Sequence, residues 1–195
     1  MPLTQAPAQL NFQCFEGHAS PVLWTEVAAL FSATFSADPY FEDPADLAAI
    51  TDWGPAQLAQ PGGRLVVAHL DGTVAAFALS HGLVEDAPWQ EILALALAPD
   101  ARYRMAGPEN VVVIHELAVA AKHRGRGIAK ECVRRLLAQR TETHVVLGVY
   151  GQATSAHAMY RQWGFEELGT TKEAGSPITL RVLGHPLPWP AAGNP

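Results

Sequence analysis

At 195 residues the chain is long enough for one substantial hydrophobic core and needs no second domain. Its composition, 49% hydrophobic and 16% charged, is typical of a globular protein, and no apolar run approaches the roughly 18 residues that span a bilayer. The formal net charge of −6 argues against general nucleic-acid binding.

The amino terminus and the cysteines bear on the compartment. The opening residues MPLTQAPAQL have neither a basic segment nor a continuous apolar one, so no secretion signal is predicted. Cys14 and Cys132 each lie on an apolar pattern and lack metal-ligand spacing. We therefore expect two buried thiols, no metal site and a cytoplasmic location.

The first part of the chain predicts one strand followed by two helices. Leu10 to Phe15 alternates in polarity, which suits a strand whose residues Leu10, Phe12 and Cys14 form a buried face. The pairs Ser20-Pro21 and Asp43-Pro44 each place a capping residue before a proline, and apolar stripes follow both. Each pair is therefore a predicted helix start.

The middle of the chain contains a predicted hairpin and then a less regular region. Arg64 to Leu70 and Thr73 to His81 are two apolar strands around the turn Asp71-Gly72. Trp89 to Leu97 fits either a helix or an apolar lid, and Pro99 to Asn110 is expected to be loop.

The stretch from Val111 to Arg140 predicts a strand, a turn and a helix. Val111 to Val119 is an apolar run rich in β-branched residues. After a short basic turn, Ile128, Cys132 and Leu136 recur at helical spacing, so one stripe of this helix is expected to pack against the core.

The turn of this unit combines glycines with positive charge. Gly125 and Gly127 let the backbone approach a ligand closely, and the basic side chains gather where the helix dipole is already positive: Lys122, His123, Arg124 and Arg126. An anion at the helix start would balance these charges and bind the free N–H groups. The turn is thus either a phosphate cradle or a solvated basic turn; the flanking strand and helix favour the cradle.

After this unit the chain predicts two further strands, one helix and a tail. His144 to Val149 is a buried strand, Ser155 to Trp163 is a helix stopped by Gly164, and Ile178 to Leu183 is a final strand. The ending HPLPWPAAGNP is rich in proline and glycine and is expected to be a tail.

Two motifs resemble those of a known family. The sequence RGRGIA, Arg124 to Ala129, resembles the R/Q-x-x-G-x-G/A acyl-CoA motif of the GNAT N-acetyltransferases, whose preceding strand often ends like Glu116 to Val119. Downstream, Ala156 to Phe165 is similar to the family's A-x-x-x-Y-x-x-x-G-F helix. No dinucleotide fingerprint or P-loop string is present.

The resemblance implies an α/β (α+β) fold with a single GNAT-like domain over residues 1–186 and a tail over 187–195. Its central sheet is expected to be mixed but mostly antiparallel, with about seven strands flanked by about four helices. The order of elements in that fold, β-α-α-β-β-β-α-β-α-β-β, agrees with the predicted elements and adds one strand after the last helix. The stretch from Val84 to Asn110 and the tail fall outside the resemblance.

The resemblance also implies catalytic residues. Tyr160 corresponds to the family's general acid, which protonates the departing thiolate of CoA; the alternative is a Tyr that packs with Met159 and Phe165. For the base, Glu116 is favoured over His115, a histidine equally compatible with a structural place in the sheet. The two are adjacent, so they lie on opposite faces unless a bulge intervenes. His123 and His157 are expected at the surface.

Acetyl-CoA is the implied co-substrate. Backbone groups of Leu117 and Val119 would bind the pantetheine arm like an added strand. The predicted cofactor-binding residues are Leu117, Ala118, Val119, Arg124, Gly125, Arg126, Gly127, Ile128, Ala129 and Ser155. The sequence has Ala153 where many members have Asn; Gln152, Thr154 and Ser155 are its candidate substitutes.

The favoured function is acetyl transfer from acetyl-CoA to a primary amine by direct attack in a ternary complex. A non-catalytic acyl-CoA-binding or regulatory module and a protein or peptide N-acetyltransferase remain alternatives. Asp38 to Asp100 contains ten acids and the single base Arg64, whereas Ala101 to Arg140 contains nine bases and three acids. This division favours a small cationic or amphipathic amine as acceptor, with neither nucleic acid nor membrane as partner. The assembly state, monomer or homodimer, stays open.

Overall fold

The computed structural model describes residues 9–83, 88–97, 107–172 and 178–189 and contains a seven-stranded sheet in the order β1-β2-β3-β4-β5-β7-β6. The strands are β1 (Leu10–Glu16), β2 (Arg64–Leu70), β3 (Thr73–Gly82), β4 (Val111–Val119), β5 (His144–Tyr150), β6 (Glu166–Lys172) and β7 (Thr179–Pro186). Among these strands the β4–β5 pair is parallel and the other neighbours are antiparallel. The predicted mixed, mostly antiparallel sheet is confirmed.

Six α-helices are found in the described part of the chain, where about four were predicted. They are α1 (Pro21–Phe35), α2 (Pro44–Ala48), α3 (Ile50–Leu58), α4 (Pro88–Ala96), α5 (Ile128–Leu136) and α6 (Thr154–Gln162). The helix expected after Asp43-Pro44 is divided at Ala49, whose N–H turns back to Asp46 and Leu47 and ends α2. The segment from Trp89 to Leu97, for which a helix and an apolar lid were both considered, forms helix α4. Short 3₁₀ turns cover Pro108–Asn110 and Ala121–His123.

Both predicted helix starts are confirmed by their caps. The Ser20 side chain accepts a hydrogen bond from the N–H of Leu23, and that of Asp43 accepts one from Ala45. The predicted hairpin is also present, because β2 and β3 pair in antiparallel register across Asp71 and Gly72. Both turn residues have positive φ, 51° and 77°, which is the geometry of a tight two-residue hairpin turn.

Helices cover both faces of the sheet, so the core has two layers. On one face α5 and the end of α6 pack on residues such as Val66, Ala68 and Val112. On the other face α1 and α3 pack on Leu65 and Val67, while α4 packs on a neighbouring cluster. Because strand residues alternate in direction, neighbouring positions of β2 serve opposite layers.

The first strand departs from the prediction. Leu10 is 40% exposed and Cys14 is exposed as well, so the expected buried face of β1 is wrong in these two positions. The reason is that β1 is an edge strand and pairs only with β2. Phe12 is covered in part, since the Arg135 guanidinium lies 4.7 Å from its ring centroid. Cys132 is fully buried as predicted.

Strand β4 contains a β-bulge. In its pairing with β3, Ile114 lies opposite Ser80 and Glu116 lies opposite Leu79, which leaves His115 as an extra residue between them. Paired residues of antiparallel strands point to the same face, and Leu79 belongs to the cluster under α1 and α3. Glu116 therefore faces that layer.

The parallel pairing of β4 with β5 is short. It runs from Val111 opposite His144 to Ile114 opposite Leu147. For the rest of β4 the described residues show no pairing with β5, although β4 continues to pair with β3 up to Val119. The two strands thus diverge from the bulge onwards, and one backbone edge of β4 borders the gap.

The end of the described chain contributes to the core. Trp189, which lies in the segment assigned to the tail, is 9% exposed, and its ring centroid is 5.9 Å from that of Trp163 and 6.2 Å from that of Phe165. As to membrane spans, no helix of the described residues combines the length and apolar character that crossing a bilayer requires. The predicted loop Pro99 to Asn110 lies mostly outside the described residues.

Candidate active site

The turn between β4 and α5 has the backbone geometry of an anion cradle. Gly125 and Gly127 have φ of 72° and 77°, a region that other residues rarely adopt. A Cβ at either glycine would meet no described atom within 4 Å, so the space above the turn is open. Gly127 precedes α5 and no side chain caps this helix, which leaves its first N–H groups directed at that space.

The positive charge near this turn comes from the turn itself. Lys122, Arg124 and Arg126 are exposed there, and the Arg124 side chain folds back so that Nε donates to the Val119 carbonyl at 3.1 Å. Arg134 and Arg135, further along α5, are paired instead. Both bind the carboxylate of Glu131 at 2.6 and 2.7 Å, and the Arg134 hydrogen bond lowers the pKa of Glu131 to about 2.

The other predicted cofactor-binding residues direct their side chains away from this turn. Ala118 and Ile128 are 1% and 4% exposed, so their side chains belong to the core and only their backbone groups face the gap or turn. Leu117 and Val119 pack partly on the α5 layer, on the opposite face from Ala118. Ser155 is exposed in the first turn of α6.

Glu116 is a half-buried carboxyl group at the start of the gap. Burial, and then the negative charge of Glu42, raise its pKa to about 8. Among the described residues no hydrogen-bond donor or cation pairs with it. A carboxyl with such a pKa can exchange a proton near neutral pH, which is the property a general base needs.

His115 lies on the same face of the sheet as Glu116, because the bulge interrupts the alternation of side-chain directions along β4. Its ring centroid lies 4.3 Å from that of His81 and 6.2 Å from that of Trp89 on α4. Burial, followed by His81, lowers the pKa of His115 to about 3, so the ring is neutral at physiological pH. Its Nε2 is buried without a partner in the described part of the chain.

Tyr160 lies among aromatic side chains of the core. It is 7% exposed and packs edge-on to Trp163 and Phe165, with ring centroids 5.4 Å apart in both pairs. Burial raises the pKa of its phenol well above the usual value, and Tyr40 and Glu116 add to that effect. The phenol is therefore packed, protonated and electrostatically close to Glu116.

A third group of residues lies in the loop between α1 and α2, which the sequence identified only as part of an acidic region with aromatic residues on the acceptor side. Tyr40 approaches Tyr150 of β5, with ring centroids 5.8 Å apart, and its pKa is raised by burial and by Glu116. The Tyr150 hydroxyl donates a hydrogen bond to Glu42. The available signal was a local cluster of aromatic and acidic residues in this loop, but local sequence does not reveal that it meets β5.

The position where the family often has Asn is structural here. Ala153 is 1% exposed and immediately precedes α6, which starts one residue earlier than predicted. His157 and His123, expected at the surface, are both half-buried. His157 lies 3.0 Å from Glu167, and the Nδ1 of His123 is buried without a partner among the described residues. No group of three or more described His, Cys, Asp or Glu side chains is arranged to hold a metal ion.

Strand β4 thus separates from its parallel neighbour β5 and leads through an open glycine turn into the uncapped helix α5. The family model described as acetyltransferase (GNAT) family matches residues 24–165, which is well over half of the chain. The chain belongs to the GNAT acetyltransferase family.

Two curated proteins are similar in sequence. The N-acetylaspartate synthetase of Xenopus tropicalis is 28% identical over 118 residues, which cover 59% of this chain and 35% of that protein. The GCN5-like protein acetyltransferase Rv2170 of Mycobacterium tuberculosis is 31% identical over 107 residues, which cover 51% of this chain and 52% of that protein. The matches thus span about a third and about half of these relatives' lengths.

Solved structures share the fold at low identity. The ribosomal-protein-S18-alanine N-acetyltransferase of Escherichia coli has a TM-score of 0.60 and 12% identity, with 95% of this chain and 97% of that chain covered. The yncA protein of Salmonella typhimurium, solved with its cofactor acetyl-CoA, has a TM-score of 0.56 and 14% identity, with 97% and 99% covered. Such identities speak to the fold alone.

Proposed function

We propose that this protein is an N-acetyltransferase that transfers the acetyl group of acetyl-CoA to a primary amine, by direct attack in a ternary complex. The observation that carries the proposal is the geometry around β4: the strand separates from β5 after Ile114 and leads through the open glycine turn into the uncapped helix α5. Burial raises the pKa of Glu116 to about 8, where the carboxyl can exchange a proton near neutral pH, and it raises the pKa of Tyr160, which keeps the phenol protonated.

The residues around the gap fit an acyl-CoA. The N–H groups at the start of α5 and the exposed Arg126 would hold the phosphates over Gly125 and Gly127. The unpaired edge of β4 at Leu117 and Val119 would hydrogen-bond the pantetheine arm. When bound there, the cofactor supplies the acetyl thioester.

Glu116 and Tyr160 would move the protons. Glu116 accepts the proton of the attacking amine as the C–N bond forms, and a cationic acceptor bound beside it would favour its ionised state. Tyr160 donates to the sulfur as the C–S bond breaks, for which its protonated phenol is available. Exchange with solvent then returns a proton from Glu116 to Tyr160, which restores both groups.

The acceptor we propose is a small cationic or amphipathic amine. The chain up to Asp100, which contains the α1–α2 loop, is acidic, so it would attract a cation. In that loop Phe41 is 72% exposed and next to Glu42, which offers an apolar surface beside a negative group. The free thiols Cys14 and Cys132 support a reducing, cytoplasmic compartment.

Acetylation of a protein or peptide is the second candidate. Similarity to a protein acetyltransferase, 31% identical over 107 residues, favours it. A binding module without turnover is the third, and the absence of Asn at Ala153 favours that one.

A thiol-release assay with acetyl-CoA separates these three candidates. The acceptors are small mono- and diamines, amino acids, aminoglycosides and lysine-containing or free amino-terminal peptides. We expect release with small amines and a fall of at least roughly 10²-fold in kcat for Tyr160→Phe, with acetyl-CoA affinity unchanged. Preference for peptides would favour protein acetylation, and acetyl-CoA binding without release in any arm would favour the binding module.

A further inference from the structure

The loop between α1 and α2 is held in a strained backbone conformation at Phe41. This residue has a φ of 53°, in the left-handed region that bulky side chains rarely adopt. The N–H groups of Tyr40 and Phe41 both donate to the Ala37 carbonyl, at 2.9 and 3.1 Å. On the other side of the turn, the N–H of Glu42 donates to the Phe35 carbonyl at 3.0 Å. Such strain persists only where surrounding contacts hold it, and it is concentrated at functional sites.

The strained turn directs two neighbouring aromatic side chains apart. Phe41 is exposed, whereas Tyr40 is half-buried. The Tyr40 ring packs against two other rings, because its centroid lies 4.7 Å from that of Phe35 on α1 and 5.8 Å from that of Tyr150 on β5. The hydrogen bonds of the loop and these ring contacts together fix the position of the Tyr40 side chain.

Tyr40 lies where the two layers of the core meet. The buried apolar residues of α1 and α2 belong to the layer on one face of the sheet. The Tyr40 ring instead packs on the cluster of the opposite face, which contains Tyr160. Its contact with Tyr150 locates this crossing, because Tyr150 lies beyond Leu147, the last described residue of β5 that pairs with β4. Tyr40 therefore borders the open end of the gap between β4 and β5.

In the proposed reaction the same gap receives the acyl thioester. The β4 edge at Leu117 and Val119 would bind the pantetheine arm, so the acyl group would lie near Tyr160, the proposed proton donor to the sulfur. A ring that is fixed at the open end of the gap occupies space that a longer acyl chain would need. Protein interiors are close-packed, so an added methylene that meets a fixed ring is unfavourable.

We propose that Tyr40 is a specificity-determining residue that limits the length of the acyl group. Its ring contacts the end of the acetyl group and excludes longer chains such as butyryl. This inference rests on the proposed acetyl transfer and names the donor selectivity of that same site. The Tyr40 side chain takes no part in the proton transfers.

The test measures the binding of CoA thioesters by calorimetry, which requires no acceptor. The ligands are free CoA, acetyl-CoA, propionyl-CoA, butyryl-CoA and hexanoyl-CoA. The wild type should bind butyryl-CoA roughly tenfold or more weakly than acetyl-CoA, because a misfit of one methylene in a pocket already changes discrimination by about that factor. Hexanoyl-CoA should bind no better than butyryl-CoA.

Three variants at this position separate the size of the side chain from its hydroxyl group. Tyr40→Ala should bring the affinity for butyryl-CoA to within about threefold of that for acetyl-CoA, because the space of the ring becomes free. Tyr40→Val keeps more of the side chain and should relax the discrimination against propionyl-CoA first. Tyr40→Phe is the matched control, since it keeps the ring and should discriminate as the wild type does. Urea denaturation establishes that each variant is folded.

The possible failures are distinguishable. Equal affinity of the wild type for acetyl-CoA, butyryl-CoA and hexanoyl-CoA would overturn the inference, and so would unchanged discrimination in folded Tyr40→Ala and Tyr40→Val proteins. A loss of discrimination in Tyr40→Phe equal to that in Tyr40→Ala would also overturn it, because the ring would then not be the obstacle. Absence of binding by every CoA compound, free CoA included, would instead refute the proposed function and this inference with it.

Discussion

Replacing Glu116 with Gln removes one titratable group and keeps its size, so it shows directly what the raised pKa does to this protein. The folded state raises the pKa of this carboxyl from 4.5 to about 8, mainly through burial. The folded protein therefore holds this proton more tightly than the unfolded chain does. Its stability falls as pH rises from about 4.5 through about 8, because the folded state must then ionise a half-buried group.

The size of the effect follows from this difference. A pKa raised from 4.5 to about 8 corresponds to roughly 5 kcal/mol at full ionisation, by the rule that a tenfold change in proton affinity is about 1.4 kcal/mol. The side chain keeps some contact with solvent, which lessens the penalty, so about 2 kcal/mol is the expected value. Glu116→Gln should be more stable than the wild type by about this amount above pH 8.5 and by little at pH 5.

Urea denaturation of both proteins between pH 5 and pH 9.5 measures this difference. The other titratable groups are common to the two proteins and largely cancel in the comparison. His115→Gln is the matched control, because this ring is neutral in the folded state over the whole range and protonates only in the unfolded chain, near pH 6.5. Its difference from the wild type should therefore change only below about pH 7 and stay constant above it, where the Glu116→Gln difference still grows. A constant difference between wild type and Glu116→Gln across the range would refute the assignment of a raised pKa.

The same variants test the base. For the wild type, kcat/KM should rise with pH and level off above about 8, since Glu116 must be ionised in the free enzyme to accept a proton. Glu116→Gln should lose roughly 10²-fold or more and should lack this inflection, whereas His115→Gln should keep it. A larger loss in His115→Gln than in Glu116→Gln would make His115 the base.

Two further predictions concern binding and packing. Gly127→Glu should abolish acetyl-CoA binding in calorimetry, because it places bulk and negative charge in the proposed phosphate site, while Gly72→Glu, with the same φ of 77° and equally open space in the hairpin turn, should bind normally. Normal affinity in a folded Gly127→Glu protein would exclude that site. Gly54→Ala should lower the free energy of unfolding by about 1–3 kcal/mol, because its Cβ would lie 2.5 Å from a ring carbon of Trp24. A stabilised variant would mean that helix propensity outweighs this contact.

The sequence determined the elements that depend on local pattern. The hairpin across Asp71-Gly72, the caps at Ser20 and Asp43, and the strand, turn and helix from Val111 to Leu136 all formed where predicted. These features depend on side-chain alternation, helical spacing, turn chemistry and capping, which act over a few residues. The resemblance of the glycine turn to the family motif also depends on a few neighbouring residues, and from it the order of the strands was predicted.

The arrangement around the candidate site was decided by the tertiary structure. The bulge that places His115 and Glu116 on one face exists only in the pairing of β4 with β3. Glu42 and Tyr40 reach the site because their loop contacts Tyr150, more than a hundred residues away in sequence. The local alternation of apolar and polar residues contains no information about contacts between residues that are far apart in sequence.

Whether a given side chain is buried was likewise decided by where its element lies in the fold. Cys14 follows an apolar pattern as Cys132 does, but β1 is an edge strand while α5 lies over the sheet, so the first thiol is exposed and the second is buried. Trp189 is buried because the aromatic rings of Trp163 and Phe165 receive it. The pattern of apolar residues in the sequence shows which side chains are able to be buried. The packing of distant elements decides which of these side chains are buried, because burial depends on what the rest of the chain brings to cover them.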